Sequence, residues 1–353
     1  MGKFLQLEPG AVRRLLVRSA NWIGDAVMTT PALKAVRELF CNAEITILAK
    51  PLVAPLFEHS PRVDQVFIYD GEGRHRGISG KLRLAAELSK EGFDAALLFQ
   101  NAFEAAFITA AARIPVRIGF NTDARGLLLT HPVKNPARFK QGHHADYYLG
   151  ILRGLGFEVS NSGLELYVGD CDRRSARGIL ERKGLAGKRR LGISPGATFG
   201  PAKQWYPERY AELVDRLCVR DNWGAVILGG PGDLGTAEKI ARAADTPVVN
   251  LCGSTSVGEA IALVEKCDLF VTNDSGLMHV AAALDVPLVA IFGSTNPVAT
   301  GPLGEKSRVV QVKLPCNPCL KPECPYGHLD CMRRVTVDMV EAAVKSLCRE
   351  AGL

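Results

Sequence analysis

The chain of 353 residues exceeds one ordinary domain and, with 47% hydrophobic residues, can bury two sizeable cores. Its net charge of +6 allows attraction to an anionic substrate or surface but falls short of a nucleic-acid-binding footprint. We find no signal peptide and no run of about 20 apolar residues, and we interpret the ten cysteines as reduced thiols, so we expect a cytoplasmic protein.

Predicted strands and helices alternate through the first half of the chain. A strand over residues 13–19 precedes a helix over 31–40, where apolar residues recur at helical spacing. The elements that follow are, in chain order, a strand at 44–49, a helix near 52–58, a strand at 65–69, a helix at 81–90, a strand at 95–99, a helix at 104–112 and a strand at 116–119. Strands separated by helices predict the α/β class, a parallel sheet with helices on both faces.

The pattern weakens near residue 160 and then starts again, which predicts two Rossmann-like domains. The second series is a strand at 190–194, a helix at 207–219, a strand at 225–228, a helix at 236–243, a strand at 248–251, a helix at 257–266, a strand at 269–272, a helix at 276–284 and a strand at 288–292. We expect a first domain over 1–165, a linker over 166–188 and a second domain over 189–334. A ligand crevice is expected at the carboxyl ends of the strands.

The segment NDSGLMH carries the strongest chemical signal, because it follows an apolar strand and opens a helix. Ser275, Gly276 and Leu277 would present backbone N–H groups at the positive end of that helix, which suits a diphosphate. Asp274 could fix the turn or bind ligand hydroxyls, and His279 could reach the same pocket. The alternative is an aspartate that caps the helix and a histidine buried in the core.

A second turn, PGATFGPAKQW, begins just past the predicted strand at 190–194. Its glycine turn, the hydroxyl of Thr198 and the ammonium of Lys203 suit a negatively charged leaving group. The alternative is an ordinary loop with a solvated lysine.

The segment NWIGD ends the first predicted strand and supplies a candidate base. Removing a proton from a sugar hydroxyl needs a carboxylate at the crevice, and Asp25 is placed there. An aspartate is ionised at neutral pH and can accept that proton. The alternative is that Asp25 caps a helical turn, although Thr29 and Thr30 already offer caps for the next helix.

Two further motifs resemble a metal site and a dinucleotide-binding site, but we favour a different interpretation for each. Cysteines at 316, 319, 324 and 331 in a Pro-rich loop could hold a structural zinc, but their spacing is irregular, so reduced thiols are the default. GPGDLG fits the dinucleotide fingerprint, yet the next strand ends in Cys-Gly-Ser, without an acid for a ribose hydroxyl. We interpret it as a nucleotide-side loop in which Asp233 could touch the ribose. The pair Asp170 and Asp172 falls in the predicted linker and is interpreted as solvated charge.

Three long segments together resemble glycosyltransferase family 9, the lipopolysaccharide heptosyltransferases. They are SANWIGDAVMTTPALKAVRELF (19–40), SPGATFGPAKQWYPERYAEL (194–213), and LCGSTSVGEA with FVTNDSGLMHVAAALDVPLVAIFGST (251–295). The stretch PGATFGPAKQW and the cysteine-rich CNPCLKPECPYGHLDC are most similar to the heptosyltransferase II branch. The resemblance extends from residue 14 to the last predicted helix, at 337–349.

The resemblance implies a GT-B architecture, with the acceptor on the first domain and the donor on the second. Segment 335–353 would return as a helix to the first domain. The implied donor is ADP-L-glycero-D-manno-heptose, and the implied acceptor is a lipid A–Kdo core that bears one heptose. Family members invert the anomeric centre and require no metal or other cofactor. Heptosyltransferases I and III and related transferases stay open as alternatives, and the oligomeric state is not indicated.

The resemblance also implies roles for single residues. Asp25 matches the position of the proposed base, and the departing ADP would be steadied by Lys203, Thr198 and the amides of 275–277. The residues expected to hold the ribose, adenine edge or heptose are Asp233, Thr255, Asp274 and His279.

Basic residues give the first domain positive charge that suits a phosphorylated lipid acceptor. They are Arg74, Arg76, Lys81, Arg83, Arg113, Arg117 and Arg125. Each alone is more often a solvated surface residue. The expected acceptor contacts are Asn21, Gly24, Arg74, Arg76 and Arg117. No segment indicates a dedicated membrane anchor, so contact with the inner face of the cytoplasmic membrane would be peripheral.

Other classes of function stay open at this point. A sugar-nucleotide epimerase of the same fold would use the diphosphate site without an acceptor. An NAD-dependent oxidoreductase would need the glycines of GPGDLG to hold a dinucleotide. A binding module without catalysis is disfavoured, because a carboxylate, a lysine and a helix terminus are all predicted at one crevice.

Overall fold

The computed structural model describes residues 7–134, 141–218 and 222–352. The chain divides into two compact units, Met1–Tyr167 and Val168–Leu353. Within the described ranges, no helix is both long and apolar enough to cross a bilayer. Val219, the predicted last residue of the helix that begins at 207, lies outside the described residues.

A parallel sheet of six strands, in the order β3-β2-β1-β4-β5-β6, forms the centre of the first unit. The strands are β1 (Arg14–Arg18), β2 (Glu44–Ala49), β3 (Gln65–Ile68), β4 (Ala95–Leu98), β5 (Val116–Phe120) and β6 (His131–Val133). In the register, Leu16 of β1 lies between Thr46 of β2 and Ala96 of β4. These central strands are nearly continuous apolar runs because helices cover both faces of the sheet.

The first unit contains five α-helices among its described residues. They are α1 (Ile23–Met28), α2 (Thr30–Leu39), α3 (Gly77–Lys90), α4 (Phe103–Ala111) and α5 (His144–Gly154). Helices α1 and α5 and strand β6 were not predicted, and the helix expected near 52–58 is only a 3₁₀ turn at Ala54–Leu56. The hydroxyls of Thr29 and Thr30 donate to the carbonyls of Ala26 and Val27 within α1, so neither side chain caps α2 as expected.

The second unit has a parallel sheet of the same size, in the order β12-β11-β10-β7-β8-β9. Its strands are β7 (Arg189–Ser194), β8 (Trp223–Ile227), β9 (Val248–Asn250), β10 (Leu269–Asn273), β11 (Leu288–Phe292) and β12 (Ser307–Gln311). Its helices are α6 (Asp170–Arg182), α7 (Pro207–Cys218), α8 (Leu234–Ala243), α9 (Val257–Glu265), α10 (Gly276–Ala283), α11 (Pro297–Thr300), α12 (Asp330–Arg333) and α13 (Val337–Ala351). In each sheet all strands run the same way, so their carboxyl ends share one edge.

The domain boundaries differ from those expected. The predicted linker contains α6, which packs against α9 of the second unit, where Arg173 binds Glu265 at 2.8 Å. Its sequence is mostly charged, and only Ala176 and Leu180 are buried, which hid the helical pattern. Helix α13 packs on α7, β11 and β12 and belongs to the second unit. The boundary predicted at residue 335 therefore does not separate this helix from the second unit, because its apolar face completes that unit's core.

Candidate active site

The turn from β10 into α10 has the geometry of an anion-binding helix terminus. Ser275 caps α10, and its hydroxyl accepts a hydrogen bond from the backbone N–H of Met278 at 3.4 Å. The hydroxyls of Thr272 and Ser275 lie 3.0 Å apart, which ties the cap to the strand. Gly276 and Leu277 are half-buried at the first positions of the helix. Their N–H groups therefore lie at the positive end of the helix dipole, as predicted for a diphosphate site.

The ammonium group of Lys203 reaches this turn. Its Nζ lies 2.7 Å from a carboxylate oxygen of Asp274, and both side chains are largely buried. Thr295 and Thr300 donate their hydroxyls to the same oxygen, at 2.7 and 3.4 Å. Asp274 is thus surrounded by donors of its own unit and holds Lys203 beside the helix terminus.

The buried side chain of Asn273 fixes the loop that carries Lys203. Its amide nitrogen donates to the carbonyl of Pro195 at 2.6 Å. Its amide oxygen accepts from the backbone N–H of Trp205 at 3.1 Å and from the hydroxyl of Tyr210 at 3.0 Å. Both ends of the loop are therefore tied to β10. Sequence reasoning missed this role, although an asparagine that ends an apolar strand was the available signal.

The cysteine-rich loop supports the same region from the other side. The N–H of Ala202 donates to the carbonyl of Pro322 at 2.9 Å, and the N–H of Leu320 donates to that of Ser294 at 2.8 Å. Gly200 has a φ of 148°, and a Cβ there would lie 2.4 Å from the Pro322 oxygen. The loop therefore braces the segment next to Lys203.

The cysteines of this loop lie near one another. Burial raises the pKa of the Cys331 thiol, and the thiols of Cys319, Cys324 and Cys316 raise it further. Backbone N–H groups, that of Leu329 first, hold the pKa of Cys324 below its ordinary value. Across the described part of the chain, no group of three or more His, Cys, Asp or Glu side chains is arranged to hold a metal ion.

Asp233 lies between the turns that follow β7 and β8. Its carboxylate accepts from the N–H of Gly230 at 2.9 Å. A Cβ added to Gly196 would lie 2.3 Å from the same carboxylate, and one added to Gly229 would lie 2.7 Å away. Burial raises the pKa of Asp233, and the hydrogen bond from the Gly230 N–H partly offsets this increase. The two turns therefore approach closely because glycines face this carboxylate.

The remaining donor-side residues occupy different environments. Thr255 is half-buried in the turn after β9, at the same edge of the sheet, and Thr198 is exposed in the loop after β7. His279 is only 3% exposed, inside α10. The structure thus brings Lys203, Asp274 and the α10 terminus together, whereas the role of His279 as a ligand contact stays a prediction.

In the first unit, Asp25 lies in the first turn of α1, at the carboxyl end of β1. Tyr148 of α5 is the neighbour of Asp25: burial raises the pKa of this tyrosine well above its ordinary value, and the Asp25 charge raises it further. Asp25 thus lies at the strand edge where the sequence placed it, and its role as a base stays a prediction.

A buried arginine fixes the loop between β1 and Asp25. The guanidinium of Arg18, 2% exposed, donates to the side-chain oxygen of Asn21 at 2.6 Å and to the carbonyl of Ser19 at 2.8 Å. It also lies 5.2 Å from the centre of the Tyr69 ring. Burial lowers the pKa of Arg18 to about 10, while Tyr69 and Glu104 oppose that change. Asn21, expected to contact the acceptor, is therefore held by Arg18.

A second buried arginine braces the edge around β4 and β5. Arg125 is fully buried and donates to the carbonyl of Phe120 at 2.8 Å and to the side-chain oxygen of Asn101 at 3.1 Å. The amide of Asn101 in turn donates to the hydroxyl of Tyr147 at 2.8 Å, and Tyr147 packs edge-on against Tyr148. Arg125 is thus part of the framework, and its expected contribution to surface charge is wrong.

The other expected acceptor contacts separate into two groups. Arg74 and Arg76 are exposed just before α3, at the carboxyl edge of the sheet. Arg117 donates to the carbonyls of Leu128 and Ile114, at 2.6 and 2.5 Å, and lies near the other end of β5. We therefore leave Arg117 out of the acceptor site.

The chain is similar to known proteins along nearly its whole length. Residues 81–330 match the model of glycosyltransferase family 9 (heptosyltransferase). Lipopolysaccharide heptosyltransferase 2 of Salmonella typhimurium is 30% identical, over 96% of this chain and 100% of that protein. The structure of E. coli ADP-heptose lps heptosyltransferase II superposes with a TM-score of 0.82 at 26% identity, covering 96% of this chain and 100% of that one. A family 9 glycosyltransferase of Veillonella parvula gives a TM-score of 0.88 at 26% identity, covering 98% and 99%.

Proposed function

The chain belongs to glycosyltransferase family 9, the heptosyltransferases, and on that premise we propose that it moves L-glycero-D-manno-heptose from ADP-heptose onto the first heptose of a lipopolysaccharide inner core. The transfer inverts the anomeric centre. The main support for donor binding is the position of the Lys203 ammonium, which is held 2.7 Å from Asp274, directly before the N-terminus of α10. A cation beside a helix terminus is suited to the charge that develops on a departing diphosphate.

On the donor side, the leaving ADP is bound by Lys203, Thr198 and the amides of 275–277. Asp233 and Thr255 follow neighbouring strands and are assigned to the ribose and adenine edge. His279 is assigned to the heptose. No metal or other cofactor is part of this proposal, because a lysine and a helix dipole supply the positive charge.

On the acceptor side, Asp25 takes the proton from the acceptor hydroxyl as that oxygen attacks the anomeric carbon of the donor. Asn21 and Gly24 flank it, and the 58% exposed indole of Trp22 offers an apolar face to a sugar ring. Arg74 and Arg76 are assigned to phosphate groups of the core. Because that acceptor is a lipid, we place the enzyme at the inner face of the cytoplasmic membrane, in peripheral contact with it.

The test is transfer from ADP-heptose to truncated cores that bear zero, one or two heptoses. The parent protein is compared with Asp25→Ala, and ADP binding is measured separately. We expect transfer only to the one-heptose core, with a loss of about 10²-fold or more in kcat for the variant and unchanged ADP affinity.

Other results would change the assignment in defined ways. Transfer to a core with zero or two heptoses would keep the mechanism and assign another branch of the family. Conversion of the sugar nucleotide without any acceptor would instead support an epimerase. Undiminished transfer by Asp25→Ala would remove Asp25 as the base.

A further inference from the structure

Four large apolar side chains of the first unit are exposed near one edge of its sheet. Leu127 is 97% exposed, Ile78 is 74% exposed, and Leu82 and Phe103 are each about half exposed, at 49% and 48%. Ile78 and Leu82 are one turn apart in α3, beside the stripe of that helix which faces the core. We call these four residues the apolar patch.

The elements that carry the apolar patch are neighbours. The ammonium of Lys81 in α3 lies 2.6 Å from a carboxylate oxygen of Glu104 in α4, which places the first turns of the two helices side by side. Phe103 stacks on Phe107 along α4, with ring centres 6.5 Å apart. Helix α4 also packs against the 3₁₀ helix Arg125–Leu128 that carries Leu127. The patch therefore extends across three adjacent elements.

Exposed arginines border the apolar patch on the α3 side. Arg74, Arg76 and Arg83 are all exposed, and the guanidinium of Arg83 lies 3.4 Å from the carbonyl of Arg74. Glu104 is paired with Lys81, and Glu87 is paired with Arg74 and His75. Asp70 accepts the backbone N–H groups of Gly73 and Arg74, and Glu72 is exposed on the same loop. Within the residues that the structure describes, neither Arg76 nor Arg83 forms an ion pair, so both guanidinium groups are available to bind anionic headgroups.

The apolar patch lies near the edge of the sheet that carries Asp25. Each of its elements begins just after a strand ends: α3 after β3, α4 after β4, and the 3₁₀ helix after β5. The patch therefore lies toward the carboxyl edge of the sheet, the edge at which Asp25 follows β1. An exposed apolar surface bordered by arginines matches the interface of a bilayer, with acyl chains under anionic headgroups.

We propose that the apolar patch and its arginine border form the surface by which the first unit docks on an anionic phospholipid bilayer. The four apolar side chains enter the headgroup region, and Arg83 pairs with lipid phosphates. The link to catalysis rests on the proposed function, because only a lipid-linked acceptor requires the edge with Asp25 to face the membrane. Docking itself is independent of the reaction.

The test measures binding to vesicles without any acceptor. The full chain is floated with vesicles of phosphatidylcholine alone or with 30 mol% phosphatidylglycerol, about the anionic content that attracts basic surfaces. The variants are Ile78→Ser with Leu82→Ser, Leu127→Ser, and Arg83→Glu. The matched controls lie on the second unit: Met339→Ser, 38% exposed in α13, and Arg242→Glu, exposed in α8.

We expect binding of the parent only to the anionic vesicles. Loss of one positive charge near such a surface should weaken binding about fivefold, so the charge reversal Arg83→Glu should weaken it by at least that factor. The double serine variant should weaken binding about tenfold or more. The controls should bind as the parent does. Thermal unfolding should be unchanged in all variants, because every substituted side chain is exposed.

Several results would overturn the proposal. The first is that the parent does not bind anionic vesicles. The second is that the patch variants bind these vesicles as well as the controls do. The third is that the substitutions abolish a dimer of the protein and leave vesicle binding unchanged.

A second assay distinguishes failure of the docking proposal from failure of the proposed function. It compares transfer to an acceptor in vesicles with transfer to a deacylated, water-soluble acceptor. The patch variants should lose transfer to the acceptor in vesicles but keep transfer to the water-soluble acceptor. Absence of transfer to either acceptor by the parent protein would contradict the proposed function.

Discussion

The carboxylate of Asp274 accepts contacts from Lys203, Thr295 and Thr300 at once. Asp274 therefore positions the ammonium of Lys203 beside the N-terminus of α10, where the proposed function places the diphosphate. The sequence left two roles open for Asp274, to fix the turn or to bind ligand hydroxyls, and these contacts favour the first. The sequence could not decide between them, because it shows which residues follow a strand but not which side chains already satisfy one another.

Lys203→Ala and Asp274→Asn test this arrangement. Loss of the ammonium should lower kcat by about 10²–10³-fold, the usual effect of removing one donor to a developing charge. Asp274→Asn keeps the shape but loses the charge-assisted bond, and it should raise KM for the donor about tenfold. Steady-state kinetics with each substrate varied provides the measurement.

The exposed acid Asp338, which pairs with Arg216, supplies the control as Asp338→Asn. It should leave the donor KM unchanged. An unchanged donor KM in Asp274→Asn as well would show that Lys203 does not depend on Asp274.

Asp233 should make stability depend on pH in the acidic range. Burial raises its pKa in the folded unit above the reference value of 3.8. Between 3.8 and the raised pKa, the folded state binds more protons than the unfolded state, so stability falls as pH rises through this window. Asp233→Asn should therefore raise Tm at pH 7, and this gain should shrink as pH falls toward 3.8.

Thermal unfolding of the parent and Asp233→Asn at pH 4 and 7 measures this effect. A change of 1 kcal/mol corresponds to about 2–4 °C for a domain of this size. Asp245→Asn, at an exposed acid of the same unit, is the comparison. A Tm difference that is equal at both pH values would mean that the charge of Asp233 is not the cause.

At the scale of elements, the cysteine-rich loop supports the donor site through its backbone. Gly200→Ala would place a Cβ 2.4 Å from the Pro322 oxygen, at a φ of 148° that other residues rarely adopt. We expect a loss of about 1–3 kcal/mol in unfolding free energy and a higher donor KM, because the loop with Lys203 must shift.

Gly235→Ala provides the opposite case in the same unit. Gly235 lies in α8, and its added Cβ would meet nothing within 4 Å. This change should raise stability by up to about 1 kcal/mol and leave the donor KM unchanged. Equal donor KM values for both glycine variants would contradict a bracing role for the cysteine-rich loop.

Buried strands that consist of consecutive apolar residues were predictable from the sequence. Strands β1, β2, β10 and β11 were expected within a residue or so at each end, because parallel central strands are apolar throughout. The edge strand β6 has only three residues and contains Pro132, and it gave no such signal.

The sequence placed Asp25, Lys203 and the 275–277 amides at the carboxyl ends of strands, because each lies in the segment that connects a strand to the next helix or in the first turn of that helix. Arg18, Arg125 and Tyr148 were not predictable, because their roles depend on contacts between elements that are distant in the chain. A buried arginine looks like a surface charge until its acceptors are known. The apolar patch was missed for the same reason, since Ile78 and Leu82 resemble core positions of a helix.

For the whole molecule, each unit has its own sheet and its own buried core. The residues assigned to the donor all lie in the second unit, and those assigned to the acceptor, together with the apolar patch, lie in the first. Under the proposed function, separate stretches of the chain would select the sugar nucleotide and the lipid acceptor.

The chain passes from one unit to the other once, between Tyr167 and Val168. Under the proposed function, a single crossover in the gene at this point would exchange the whole unit assigned to the acceptor while leaving the unit assigned to the donor intact. Recombination could thus generate enzymes that add the same sugar to new glycolipids, and hybrid genes joined at this position offer the same route in the laboratory.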